Sequence, residues 1–209
     1  MRLAVFGATG LTGGFVVEEA LAQGHEVVAL VRDPSRVARR HPRLTVLGGS
    51  LVGPGDVARA VRGAEAVVHC LGIGGKGDGA RTTLVSDSVK VVLAAMDLHG
   101  VRRIVCMSNV GAGGSGTWFA NRVVVPLFLR WLLPIVEDKD LMEGALRASH
   151  VEWVSVRLPA IVEVPAKPLR VSDDGRGIGL TVTAESVARF LLACVTGDAF
   201  LRRAPSIGH

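Results

Sequence analysis

The residues with the clearest chemical potential stand near the start of the chain. Gly7, Gly10 and Gly13 form a GxxGxxG spacing directly after the apolar run Leu3-Ala4-Val5-Phe6. Gly7 lets a strand reverse sharply, because it lacks a Cβ and tolerates positive φ. Gly10 lets the backbone come close to a pyrophosphate, and Gly13 lets the following helix pack against the strand. Free N–H groups at the helix start, within Gly7-Ala8-Thr9-Gly10-Leu11-Thr12-Gly13, then face the phosphates with the helix dipole behind them. A tight structural turn is the alternative, but a strand before the glycines and a helix after them is the context the motif requires. The turn therefore reads as a dinucleotide-binding site.

A second candidate group follows the next apolar run, Glu26–Val31. An acidic residue there would bond a ribose 2′-hydroxyl, whereas an arginine accommodates a 2′-phosphate. This chain has Arg32, with Ser35 and Arg36 one helical turn further on. A guanidinium also stacks on adenine while pairing with phosphate. Asp33 has two readings, a ligand for the NAD ribose or a cap for the turn that Pro34 begins. The cap is preferred, so NADP(H) is the expected cofactor and NAD(H) the alternative.

These groups need elements to hold them. Apolar runs predict strands at Leu3–Phe6, Glu26–Val31, Leu44–Leu47, Glu65–Leu71, Arg103–Met107 and Glu152–Arg157, buried on both faces as in a parallel sheet. Between them, helical spacing and glycine stops predict helices over Leu11–Gln23, from an Asp56 cap to Gly63, over Thr82–His99, much of Trp118–Leu133, and Glu137–Ser149. An extended excursion over Leu169–Thr183, turning at Asp173-Asp174-Gly175, precedes a last helix at Ala184–Thr196. Strand and helix alternate six times. The expected fold class is α/β, a single-domain doubly wound parallel sheet (Rossmann fold) of order 3-2-1-4-5-6. Ligands in such a sheet bind beyond the carboxyl ends of the strands, where this chain places its turns.

Composition narrows the function classes. At 209 residues, 49% hydrophobic and 21% charged, the chain is globular rather than disordered. Its net charge of +5 favours anionic ligands, but the arginines are scattered and do not alternate with aromatics, so no nucleic-acid partner is expected. Cys70, Cys106 and Cys194 show no CxxC spacing and the histidines no ligand spacing, so neither a disulfide framework nor a metal is indicated. The apolar stretch Val123–Val136 contains Arg130, Pro126 and Pro134 and falls short of the ~20 residues of a bilayer span. No signal peptide precedes the first strand, and the expected compartment is the reducing cytoplasm, with a monomer or homodimer.

The opening Leu3–Gly13 stretch, Val31-Arg32-Asp33-Pro34-Ser35-Arg36, Cys106-Met107-Ser108 and Ser155-Val156-Arg157-Leu158-Pro159 together resemble the atypical short-chain dehydrogenase/reductases. The nearest branch is the NAD(P)H-binding one that includes NmrA-like proteins and the flavin reductase/biliverdin-IXβ reductase. This resemblance implies that Gly7, Thr9, Gly10, Leu11 and Thr12 hold the pyrophosphate, and that Arg32, Ser35 and Arg36 hold the 2′-phosphate. It places Leu71 and Gly72 on the adenosine-ribose side and Ser108 near the nicotinamide. Lys139 stands where relatives carry the active-site lysine that binds the nicotinamide ribose; its other reading is a solvated lysine among Glu137, Asp138 and Asp140. Cys106 points to the same side as Ser108 by the period of two, as a cofactor-side neighbour or simply as core. Ser50 stands where relatives often carry an aspartate near adenine, which a hydroxyl replaces only in part.

The chain also departs from that pattern. Ordinary short-chain dehydrogenases carry a tyrosine four residues before the lysine; here that residue is Ile135, and the chain has no tyrosine. Ala160 follows Pro159 where the reductase branch tends to place a histidine. A tyrosine-dependent alcohol or ketone dehydrogenase is excluded. The compatible chemistry is hydride transfer to a small-molecule redox acceptor that is flat and conjugated (flavin, linear tetrapyrrole or quinone-like), for which the protein mainly supplies alignment. Ser108 and Lys139 are the catalytic candidates, Ser108 with the alternative of a plain strand-end hydroxyl. Trp118, Phe119, Phe128 and Trp131 read as an apolar lid or as core. A non-catalytic NADP(H) sensor of the NmrA-like type is the competing function.

Overall fold

In a computed structural model, which describes residues 1–72, 80–116 and 130–209, the strand–helix alternation is present. The order is β1 (Arg2–Phe6), α1 (Leu11–Ala22), β2 (Glu26–Val31), β3 (Leu44–Gly48), α2 (Pro54–Val61), β4 (Ala66–His69), α3 (Leu84–His99), β5 (Arg103–Gly113), α4 (Leu133–Ala148) and β6 (Glu152–Leu158). Then come β7 (Ala160–Val162), β8 (Arg170–Ser172), β9 (Thr181–Thr183), α5 (Ala184–Thr196) and β10 (Ser206–Gly208). The main sheet runs β3-β2-β1-β4-β5-β6-β10-β8. Its first six strands are parallel and take the order 3-2-1-4-5-6 expected from right-handed crossovers. Beyond them β10 pairs parallel to β6, and β8 closes that edge antiparallel to β10. A separate parallel pair joins β7 to β9.

Alternate residues of the strands feed two cores. One face packs Leu3, Val5, Val105 and Val154 against α1 and α5. The other packs Phe6, Leu30, Ile104 and Trp153 against α2, α3 and α4. Such double-sided burial explains why the strands read as unbroken apolar runs.

Three boundaries differ most from the sequence reading. β5 continues to Gly113, through a glycine-rich stretch that reads as loop, because Ser108 and Asn109 still pair with Arg157 and Leu158 of β6. α4 starts at Leu133 rather than Glu137, with Pro134 in its first turn, where a missing N–H costs nothing. Gly53, not Asp56, is the N-cap of α2; Asp56 lies inside the first turn and accepts from the Ser50 N–H at 2.8 Å. The helix expected over Trp118–Leu133 falls mostly outside the described residues, of which Arg130–Leu132 form a 3-10 turn. Of the aromatic lid residues, Trp131 alone is described, and it is half-buried.

Candidate functional site

The glycine turn is built as its spacing requires. Gly7 has φ +84°, and a Cβ there would lie 2.8 Å from the Cys70 carbonyl carbon and oxygen. A Cβ on Gly13 would collide with the Gly7 carbonyl. These two contacts seat β1 and α1 against the end of β4. Gly10 is the N-cap of α1, and neither a capping side chain nor an acid in the first turn competes for the helix N–H groups. The positive helix end therefore remains available to an anion. Thr9 is half-buried beside it, Leu11 is exposed, and Thr12 is buried.

After β2, Asp33 accepts from both the N–H (2.9 Å) and the Oγ–H (2.6 Å) of Ser35. Those bonds hold the Asp33 carboxyl below its ordinary value and turn it into the cap of the Pro34–Arg36 turn. Arg32 and Arg36 are exposed. A cavity of about 240 Å³ separates the glycine turn (Thr9, Gly10, Gly14) from Arg36 and Arg39. A larger hollow of about 630 Å³ lies on the outer side of β3 and contains none of the glycine-turn residues. Ser50 is exposed, its oxygen accepting from the Val52 N–H at 3.3 Å.

The region where β4 and β5 meet α4 is organised by that helix. Lys139 is 3% exposed, and its Nζ donates to the Leu71 carbonyl (2.9 Å) and the Met107 carbonyl (2.8 Å). It is thus pinned between the segment after β4 and the middle of β5, with one N–H that has no partner among the described residues. Leu71 directly follows Cys70, the residue against which Gly7 packs, so lysine and glycine turn share one wall. Burial, against the weaker opposing pull of Cys106, Asp138, Cys70 and Glu143, lowers the lysine from 10.5 to about 8. The solvated-lysine reading fails because the side chain turns inward. Asp138 also turns inward and caps α3, accepting from the Val85 and Ser86 N–H groups at 2.9 Å each. Ile135, at the tyrosine position, is half-buried.

Ser108 is 2% exposed and donates its proton to Glu143 at 2.9 Å. Cys106, two residues earlier, is fully buried in the core between the sheet and α2–α4, which raises its thiol well above the ordinary range. Its placement matches the core reading. Gly72 is exposed at the end of the described segment.

Sequence reasoning missed two buried residues here, Glu143 and His69. Glu143 follows Lys139 by four residues, the helical spacing that could have revealed it. His69 donates Nε2–H to Ser88 Oγ at 3.1 Å, since that hydroxyl gives its own proton to Leu51; its Nδ1 has no partner among the described residues. Burial lowers His69 to about 3, so the ring is neutral.

A family model described as NAD(P)H-binding matches residues 7–198, from the first glycine of the turn to beyond α5. The chain belongs to the NAD(P)H-binding family. This agrees with the resemblance read from the sequence, and the glycine turn fits the nicotinamide dinucleotide that defines the family. Similar to the chain is the photosystem II assembly factor Ycf39 of Synechocystis, 36% identical over 174 residues, which are 78% of this chain and 46% of that protein. The chain spans less than half the length of the curated relatives it matches, from 12% to 46%. Among solved structures, a short-chain dehydrogenase/reductase from Veillonella parvula in complex with NADP superposes with a TM-score of 0.79 at 18% identity, covering 100% of this chain and 94% of that one. ChuY, an anaerobillin reductase from Escherichia coli O157:H7, gives 0.81 at 20% identity, covering 100% and 97%. No helix among the described residues is long and apolar enough to cross a membrane.

Proposed function

We propose that this NAD(P)H-binding protein is an NADPH-dependent reductase, a single Rossmann domain over residues 1–209, that transfers hydride to a flat conjugated acceptor without a catalytic tyrosine. The observation that carries the reading is Lys139, a lysine with a lowered pKa pinned between the segment after β4 and the middle of β5, beside the glycine turn. A buried ammonium is unfavourable for folding alone and is retained where a site uses it. NADPH, when bound, supplies the hydride. The N–H groups at the start of α1 hold its pyrophosphate, and Arg32 and Arg36 hold the 2′-phosphate across the cavity. Lys139 directs its remaining N–H to the nicotinamide ribose and fixes the ring. Leu71 and Gly72 line the ribose side. Ser108 acts through its bond to Glu143, keeping the end of β5 in place. The acceptor takes its proton from water, which suits a flavin or linear tetrapyrrole and needs no tyrosine.

The experiment is to mix the purified protein with NADPH and, separately, FMN, riboflavin, biliverdin and a quinone, and to follow the nicotinamide absorbance. Turnover of at least one acceptor supports the reductase. Tight NADPH binding with no turnover of any of them transfers the reading to a non-catalytic NADP(H) sensor. One observation favours that second reading: the Ser108 proton is committed to Glu143 and Ala160 has none to give. The ChuY likeness supports an open-chain tetrapyrrole as the first acceptor to try.

A further inference from the structure

Lys139 and the glycine turn leave one group unexplained, the carboxylate of Glu143. It is 0% exposed and gathers five hydrogen bonds. Its Oε1 accepts from Ser108 Oγ (2.9 Å), Ser155 Oγ (3.1 Å) and Arg157 Nε (2.9 Å). Its Oε2 accepts from Arg157 and Arg147, both at 2.6 Å. Burial works to raise this carboxyl, but Arg157 and the two serines outweigh it and hold Glu143 below its ordinary value. Arg157 is itself buried, and its Nη2 fills the space beside Gly113, where φ is +59° and a Cβ would collide with it. The Gly113 N–H in turn donates to Asp140 of α4.

The helix carrying these groups is unusual in composition. Five residues of α4 are buried, and three of them, Asp138, Lys139 and Glu143, are charged, against two apolar ones, Met142 and Leu146. Each charged residue bonds a different neighbour: Asp138 the start of α3, Lys139 the segment after β4 and the middle of β5, and Glu143 the strands β5 and β6. Apolar packing tolerates sliding of a helix along its axis. Directional, charge-assisted bonds on two successive turns do not.

We propose that Glu143, through Arg157, Ser108 and Ser155, is a positioning residue that fixes the turn of α4 presenting Lys139 to the cofactor. This rests on the reading of Lys139 as a cofactor contact. Glu143 also contributes charge. The groups facing the Lys139 ammonium are Asp138 and Glu143 on its own helix, His69 of β4 and Cys70 just after it, and Cys106 from β5. Of these, the two carboxylates are the negative ones at neutral pH, so removal of Glu143 lets Lys139 lose its proton more readily.

The test uses two variants of the full chain. The chain has four lysines, Lys76, Lys90, Lys139 and Lys167, so ¹³C-lysine NMR resolves the titration of each. Glu143→Gln lowers the Lys139 midpoint, leaves the other three in place, and weakens NADPH binding about tenfold. Because this variant strands the Arg157 guanidinium and can fail to fold, the second is Glu143→Gln with Arg157→Met, which removes the stranded charge. The pair regains stability but keeps the tenfold loss of NADPH affinity. Recovery of both stability and affinity in the double variant overturns the proposal, because Glu143 then only stabilises the fold. An unmoved Lys139 titration with unchanged affinity in Glu143→Gln overturns it as well. If Lys139→Met leaves NADPH affinity unchanged, the cofactor reading of Lys139 fails and the proposal with it, whereas a loss of affinity in Lys139→Met beside an unchanged affinity in Glu143→Gln overturns the positioning role alone.

Discussion

Replacing Lys139 by methionine should stabilise the protein at pH 7 while it impairs cofactor binding. The lysine is held at about 8 in the folded chain against 10.5 when solvated. Below pH 8 both folded and unfolded chains carry the ammonium, and the folded one bears it buried. Between pH 8 and 10.5 the unfolded chain binds more protons, so wild-type stability rises with pH across that window, by about 3 kcal/mol in total. Methionine removes this burden and fills similar volume, but strands the Leu71 and Met107 carbonyls at about 1 kcal/mol each. Lys139→Met is therefore more stable than wild type by about 1 kcal/mol at pH 7, and less stable by about 2 kcal/mol above pH 10.5. Urea unfolding followed by tryptophan fluorescence at intervals from pH 7 to 10, without NADPH, measures this crossover. A stability difference that stays flat with pH would refute the buried-ammonium argument, and a variant less stable at pH 7 would refute the balance of terms.

Two further outcomes follow from the cofactor side. Arg32→Ala should weaken NADPH by about tenfold or more while leaving NADH nearly unaffected, as loss of a charge-assisted phosphate contact requires; titration with both cofactors checks this, and equal losses remove the 2′-phosphate assignment. Gly13→Ala forces a methyl into the Gly7 carbonyl and should destabilise the fold by about 2 kcal/mol or more and abolish dinucleotide binding. Thermal unfolding with and without NADPH reads both effects, and a wild-type melting temperature would contradict the close packing of β1 on α1.

The first six strands were legible because each is an apolar run closed by a turn, and that pattern follows directly from burial on both faces. The glycine turn and the Asp33 cap were legible for similarly local reasons. β8 falls within the extended excursion read over Leu169–Thr183, but its place in the main sheet was not legible, and neither was β10, three residues long, whose Ser206 and Gly208 carry no strand pattern. They exist because the β6 edge needs a partner, which is a tertiary requirement. The extension of β5 was hidden by Gly111 and Gly113, whose positive φ argues locally for a loop, while the pairing of Ser108 and Asn109 with β6 carries the strand past Met107. At the site, Lys139 could be placed by resemblance, but its inward direction could not, since Glu137, Asp138 and Asp140 around it look like a solvated face. Glu143 was missed for the same reason, although its spacing of four from Lys139 put both on one helix face. A charged residue on a helix reads as surface until the arginine from a distant strand is seen beside it.

The way Lys139 bridges Leu71 and Met107 also bears on how the chain acquires its activity. Those partners lie 68 and 32 positions away in sequence, and Leu71 is in turn seated by Gly7. No early segment of a growing or partly unfolded chain can assemble this arrangement; the glycine turn could exist long before its lysine arrives. Because parallel sheets form from distant pairings, their assembly is slow. Occupancy by NADPH then becomes a report of finished folding, and the cofactor acts as a late lock that raises stability in proportion to the logarithm of its concentration.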